Sequence, residues 1–266
     1  MPFFLPLLFA SLYTDALQLY EQQRFAEAER TLRRIKPPTF DSRFLLGATL
    51  LRLDRPRDAI AELKAALAFR PSHADARKLL AAQYLAAGEQ AAAIELMRGR
   101  LVDEESHLLL LQAFHDRGDA GDRESALGIA QKASQLYPGS PRVHAFLGYE
   151  LKEAGRLADA KPHLQKAIAA DGKDPLPQIA LADVLIREGN PAEAERLLAA
   201  WPGEIEARLA FARALAAQDK NREAIAALLR LPESRQLHFE LSRLYSKIGD
   251  AENARRHADL FRRKVR

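Results

Sequence analysis

No cysteine occurs among the 266 residues, which removes disulfides, thiolate zinc sites, iron–sulfur clusters and cysteine nucleophiles together. An excess of one charge is lacking too. The net charge is only +4, from 40 basic and 36 acidic residues, so the high isoelectric point reflects a small surplus on a balanced surface. That is not the dense positive charge of a nucleic-acid binder. No apolar run reaches the roughly 20 residues a membrane-spanning helix needs. No segment alternates with the period of two that marks a strand. Aromatic residues are few, at 7%, and Ala and Leu carry most of the 48% that is apolar. Both are strong helix formers, because neither loses much side-chain freedom against the preceding turn. The balance predicts an all-α chain with ample material for a core.

The beginning of the chain is different. MPFFLPLLFASL contains two prolines and no charge. Two readings stand open for residues 1–10. One is the apolar region of a secretory signal ending near Ala10, which places the protein in an exported or periplasmic compartment, although no Lys or Arg precedes it. The other is an apolar flap on the first helix pair, which leaves the protein cytoplasmic. Any membrane association would run through this segment, if it is uncleaved. Residues 11–266 read as one repeat domain.

What is present is a grid of alanines. Ala28, Ala59, Ala93, Ala126, Ala160, Ala194, Ala224 and Ala254 succeed one another at gaps of 31, 34, 33, 34, 34, 30 and 30. Each closes a similar phrase, among them RFAEA, RPRDA, RLADA and NPAEA. These phrases open on a polar residue and carry acidic side chains, which suits a helix start with an oxygen to cap free amides and negative charge at the positive dipole end. Five residues before most of these alanines stands a helix stop: Gly88, Gly155, Gly189 and Gly249, with Gly118 displaced by a short insertion. A second helix commonly runs into proline, as at Pro71 and Pro138. The pattern is helix, turn, helix, turn. Glycine and proline break it too often for a long coiled coil.

With these residues the chain resembles the tetratricopeptide repeat family. In Phe40 to His73, Leu46, Gly47, Leu50, Ala59, Leu63, Ala66 and Pro71 fall on the family's signature positions. In Pro141 to Asp174, Leu147, Gly148, Leu151, Ala160, Leu164 and Ala167 do so, with Gly172 in place of the proline. A third unit, Ala74 to His107, matches through Leu80, Ala81, Tyr84, Ala93 and Met97. Looser units start near Phe9, Leu108, Pro175, Ile205 and Arg235, and the last three advance by only about 30 residues, which implies shortened second helices or turns. The resemblance implies a right-handed α-α superhelix of about eight helix-turn-helix units, with Ala251 to Arg266 as the closing helix and Leu260 and Phe261 turned to the core.

Chemistry is harder to find. There is no G-x-S-x-G, no phosphate-binding glycine loop, no G-x-G-x-x-G and no H-E-x-x-H. The seven histidines are scattered, and His107 and His115 share a helical face without a third ligand type. DRGDAGD, from Asp116 to Asp122, misses the calcium-loop spacing and reads as a widened turn with Asp122 as a helix cap. No enzyme, metal or cofactor is expected.

The resemblance places a partner on the first helix of each unit, at its second, fifth, ninth, twelfth and thirteenth positions. Carried over, this face offers Tyr13, Leu17, Tyr20, Phe44 and Leu51 early, Tyr149 and Lys152 in the middle, and Asp183, Arg187, Arg213, Arg243 and Lys247 late. A groove with an aromatic end and a basic end suits a peptide or partner protein with an apolar anchor and acidic residues. The carboxylate clamp of some family members is absent, because its positions carry Phe44, Ala48, Lys78 and Ala82. The competing expectation is a helical-repeat RNA binder, which needs a basic groove throughout.

Overall fold

The computed structural model describes residues 4–263, with the side chains of residues 11–119 and 121–263. Among the described residues there are sixteen α-helices and no strand. They fall into two compact units, one ending at Asp122 and the other beginning at Arg123.

The first unit holds α1 (Phe4–Glu21), α2 (Phe25–Leu32), α3 (Phe40–Arg52), α4 (Pro56–Phe69), α5 (Ala74–Ala86), α6 (Gln90–Met97) and α7 (Glu104–Arg117), closed by a 3-10 turn at Ala120–Asp122. The second holds α8 (Arg123–Leu136), α9 (Pro141–Glu153), α10 (Leu157–Ala170), α11 (Pro175–Arg187), α12 (Pro191–Leu198), α13 (Ile205–Ala216), α14 (Asn221–Leu228), α15 (Arg235–Lys247) and α16 (Ala251–Arg263). Residues 1–3 of the proposed signal or flap lie outside the described residues, as do the side chains of residues 4–10. The backbone of residues 4–10 belongs to α1. No described helix is long and apolar enough to cross a membrane.

Apart from Ala126, the alanine grid marks helix crossings within each unit. All eight alanines are buried, six of them with no exposed surface. Small residues let the two backbones of a pair approach, and larger ones fill the space between pairs. The fit is tightest at the glycine one helix back. A Cβ on Gly148 would stand 2.6 Å from Leu164 Cγ, and one on Gly47 would stand 2.8 Å from Leu63 Cγ.

Every turn inside a pair contains one left-handed residue. Glycine takes it at Gly88, Gly118, Gly155, Gly189 and Gly249, while Gln23, Asp54 and Asp219 do so where no glycine is available. Except after Gly118, the next residue donates its N–H to a carbonyl five positions back, as Arg24 does to Leu19 and Arg156 to Leu151. This closes the first helix.

The capping pattern corrects one expectation. Arg24, Arg55, Glu89, Arg156, Asn190 and Lys220, which open second helices, make no side-chain cap. Their backbone is already committed to the turn, and Arg24, Arg55 and Arg156 instead pair with the carboxylates of Glu27, Asp58 and Asp159. Side-chain caps sit mainly on first helices, where Thr39, His73, Asp103, Ser140, Asp174 and Ser234 accept a backbone N–H. Asp250, at the start of α16, accepts the N–H of Asn253.

The second helices α12 and α14 are short, eight residues each, as the 30-residue spacing requires. α6 is equally short although its unit keeps full spacing, because residues 98–103 form a longer connection. In α16, Leu260 and Phe261 are half-buried, with Phe261 5.6 Å from Phe239 and its ring under Arg235.

A candidate interaction face on the first helices

The residues expected to meet a partner fall in both units, and the surroundings differ. In the first unit, Tyr13, Leu17 and Tyr20 of α1 and Leu51 of α3 are half-buried against a core of Ala16, Leu32, Ile35, Leu45, Leu46, Leu50 and Ala59. Tyr20 meets Phe25 edge to face at 5.3 Å. Phe44 stacks on Phe40 at 5.7 Å and tilts against His73 at 5.5 Å. Burial, then the charge of Asp41, pushes the Tyr13 phenol up. These rings divide their surface between packing and solvent.

Lys78 of α5, at a clamp position, is committed elsewhere. Its ammonium lies 3.2 Å from Asp75, 2.7 Å from Asp103 and 3.0 Å from Glu105. The hydrogen bonds that it donates to Asp103 and Glu105 raise its pKa well above the ordinary lysine value.

In the second unit Tyr149, Lys152, Asp183, Arg187 and Arg213 meet, while Arg243 and Lys247 stand apart on α15. α9, α11 and α13 are first helices of successive pairs and pack side by side. Lys152 of α9 retains only 6% side-chain exposure, with its ammonium 2.9 Å from Glu153 and 3.8 Å from Asp183 of α11. It also stands 4.4 Å over the ring of Tyr149. Asp183 turns its other oxygen to Arg213 of α13 at 3.3 Å. One carboxylate thus ties two cations from two neighbouring helices. Arg187 is exposed at the end of α11 and donates to the carbonyl oxygen of Lys152 at 3.4 Å. Arg243, on α15, pairs with Glu240 and lies 5.6 Å from the Phe239 ring, while Lys247 is exposed one turn further on.

The electrostatics follow from burial. The Glu150 carboxyl is pushed up by burial and by Glu153. Burial also pushes Glu153 up, but the hydrogen bond and charge of Lys152 outweigh it and hold Glu153 below the ordinary value. The Tyr149 phenol is pushed up by burial and then by Glu153 and Glu150. The face is therefore less basic than its list of cations suggests, since Lys152, Arg213 and Arg243 each face a carboxylate. Glu153 was not among the expected residues, yet it occupies the thirteenth position of α9, so the family's rule reaches it.

A second recurring arrangement escaped the sequence reading. In α5, α9, α11 and α13 the fourth residue is polar, buried or half-buried, and donates to a carbonyl six residues upstream, in the turn between pairs. Arg77 bonds Pro71, Gln178 bonds Gly172 at 3.2 Å, and Arg208 bonds Pro202 at 3.1 Å. His144 reaches Pro138 at 2.9 Å. His144 also faces His163 of α10, Nδ1 to Nδ1 at 3.0 Å, and His238 faces His257 in the same way at 3.2 Å. The signal was the repeated 19-residue spacing of these histidines in the repeat register.

Comparison with known proteins agrees with this architecture. Two tetratricopeptide repeat models match, at residues 44–103 and 151–205. Among solved structures, a tetratricopeptide repeat protein from Parabacteroides merdae superposes with a TM-score of 0.71 at 14% identity, covering 84% of this chain and 92% of that one. A structure of the APC/C hetero-tetramer Cut9–Hcn1 gives 0.67 at 17% identity, over 92% of this chain and 49% of that one. A thermophilic TPR protein of Thermus thermophilus gives 0.51 at 23% identity, over 67% of this chain and the whole of that one. No curated protein matches. At these identities the structural likeness speaks for the fold.

Proposed function

We propose that this chain, a tetratricopeptide-repeat protein, is a non-catalytic adaptor that holds a peptide or partner protein against the first helices of its second unit. Tetratricopeptide repeats are in general protein-interaction scaffolds and generally non-catalytic. The observation that carries the finer reading is the line Tyr149, Lys152, Asp183 and Arg213, which runs across α9, α11 and α13. Its side chains hold one another in place, so a partner meets a preorganised surface and little rotamer entropy remains to be lost on binding. Arg187 adds positive charge at its margin, which favours an acidic segment. In the first unit, Tyr13, Tyr20 and Phe44 offer an apolar anchor point of their own.

The test is cross-linking capture from native cells with wild type beside a variant carrying Arg187→Glu, Arg213→Glu and Arg243→Glu. Circular dichroism first checks that the variant is folded. Loss of the wild-type partners supports the reading, and equal recovery removes the basic face as the site. The RNA alternative requires tight, steeply salt-dependent binding. Pairing of Lys152 and Arg213 with Asp183 leaves little free charge for it.

A further inference from the structure

The two histidine pairs have no part in the face just described, yet they join the helices that carry it. His144 is on α9 with Tyr149 and Lys152, and His238 is on α15 with Arg243. Their partners His163 and His257 are on α10 and α16. The ring centroids of the first pair stand 5.1 Å apart and the facing nitrogens 3.0 Å, so the two Nδ1 atoms lie close to the line between the rings. The second pair repeats this at 5.3 and 3.2 Å. That is the geometry of one hydrogen held between two nitrogens.

Chemistry fixes who holds it in the first pair. The Pro138 carbonyl can only accept, so His144 Nε2 carries a hydrogen and donates it. In the neutral ring its Nδ1 is then a bare lone pair, and His163 Nδ1–H donates to it. A proton added at His163 Nε2 leaves this bond intact. One added to His144 must go to Nδ1, where it confronts the hydrogen of His163 and breaks the bond. His238 is 2% exposed and its Nε2 meets no protein acceptor, so a charged His238 would bury both an unsatisfied N–H and a charge.

We propose that the two imidazole pairs make the second unit acid-sensitive, loosening α9 from α10 and α15 from α16 as the pH falls through the ordinary histidine range, and so dismantling the interaction face. The loss of stability stands without the partner reading; its consequence for binding rests on that reading. The surrounding charges act in the same direction. Burial, His144 and Lys166 lower the pKa of His163 against the smaller opposing charge of Asp159. Burial, His238 and Arg256 do so for His257 against Glu233. Beside His163, α8 presents only the neutral Gln131, Ser134 and Gln135, Asp159 is paired with Arg156, and Lys161 is paired with Glu188 towards α11. Tyr245 stacks on His257 at 5.5 Å. A histidine with a depressed folded pKa contributes stability that is full above about pH 6.5 and is lost as the pH falls towards the folded value. Glu150, whose pKa is raised, works the other way and makes the observed loss a lower bound.

The chain itself supplies the control. Gln178 occupies the position of His144 one unit later and makes the same bond to a carbonyl six residues upstream without titrating. A His144→Gln, His238→Gln variant therefore keeps the bond to Pro138 and removes from each pair the imidazole that faces His163 or His257. Urea unfolding is followed by fluorescence of the one tryptophan, Trp201, in the second unit, between pH 7.5 and 5. Two excluded protons raise the wild-type unfolding constant by up to about a hundredfold per pH unit below 6.5. The variant should show a dependence at least tenfold shallower over the same unit. Equal slopes, or a wild type indifferent to pH, overturn the proposal. If the variant does not fold, imidazole nitrogen shifts of wild type decide. His163 and His257 should titrate below the ordinary histidine value, and ordinary titration of both in the folded chain refutes the idea.

Discussion

Replacing Gly148 with alanine sets two effects of known sign against each other. Gly148 is inside α9, where alanine is better than glycine by about 0.5–1 kcal/mol because the unfolded chain loses less freedom. Against this, the added Cβ would lie 2.6 Å from Leu164 Cγ, 2.7 Å from its Cδ2 and 3.2 Å from its backbone nitrogen. The first atom is a branch point and the last is backbone, so no swing of a flexible tip relieves the contact. Leu164 has no exposed surface into which to move. α9 and α10 must separate, and overpacking of this kind costs about 1–3 kcal/mol. The clash wins, and Gly148→Ala should destabilise the second unit by about 1–2 kcal/mol. Gly128, inside α8, provides the contrast: nothing stands within 4 Å of its added Cβ. Gly128→Ala should stabilise by about 0.5–1 kcal/mol. Urea unfolding followed by Trp201 fluorescence measures both. If Gly148→Ala were stabilised as much as Gly128→Ala, the close crossing of α9 and α10 would be wrong.

Other substitutions test separate parts of the account. Ala160→Leu at the same crossing should cost about 1–3 kcal/mol, and an unchanged melting midpoint would refute the register. Thr39→Ala removes the side chain that accepts the Ser42 N–H at the start of α3, and thermal denaturation should show a loss of about 1 kcal/mol. Asp183→Asn leaves Lys152 and Arg213 facing each other with weakened compensation. A loss of about 1 kcal/mol is expected after allowance for solvent at Arg213, read from chemical denaturation at low and high salt, and it should shrink as salt rises.

The helix pairs were legible because steric demands write themselves into residue types. Only small residues fit where backbones cross, so Ala28 through Ala254 form a visible column, and only a left-handed residue closes the first helix, so Gly88 to Gly249 stand in another. Asp54 and Asp219 were harder to see, since an aspartate at such a turn looks like any polar surface residue. The caps were placed on the wrong helices because polar openings are ambiguous between a side chain that caps and one that pairs with a carboxylate three residues on. Partners that are backbone carbonyls leave no trace in sequence, which hid the role of Arg77, His144, Gln178 and Arg208. On the candidate face, the positions of Tyr149, Lys152, Asp183 and Arg213 followed from the family's rule. Their mutual neutralisation did not, because it depends on how closely α9, α11 and α13 approach.

The central claim is that partners dock on the first helices of the second unit, and site-specific photo-cross-linking tests it most directly. A photoreactive phenylalanine is placed at Tyr149 on α9 or, in a second protein, at the exposed Lys166 on α10. Both are irradiated in native cells and the adducts compared. The account predicts discrete partner adducts from position 149 and none from position 166. Adducts of the same proteins from position 166, with position 149 silent, would contradict it.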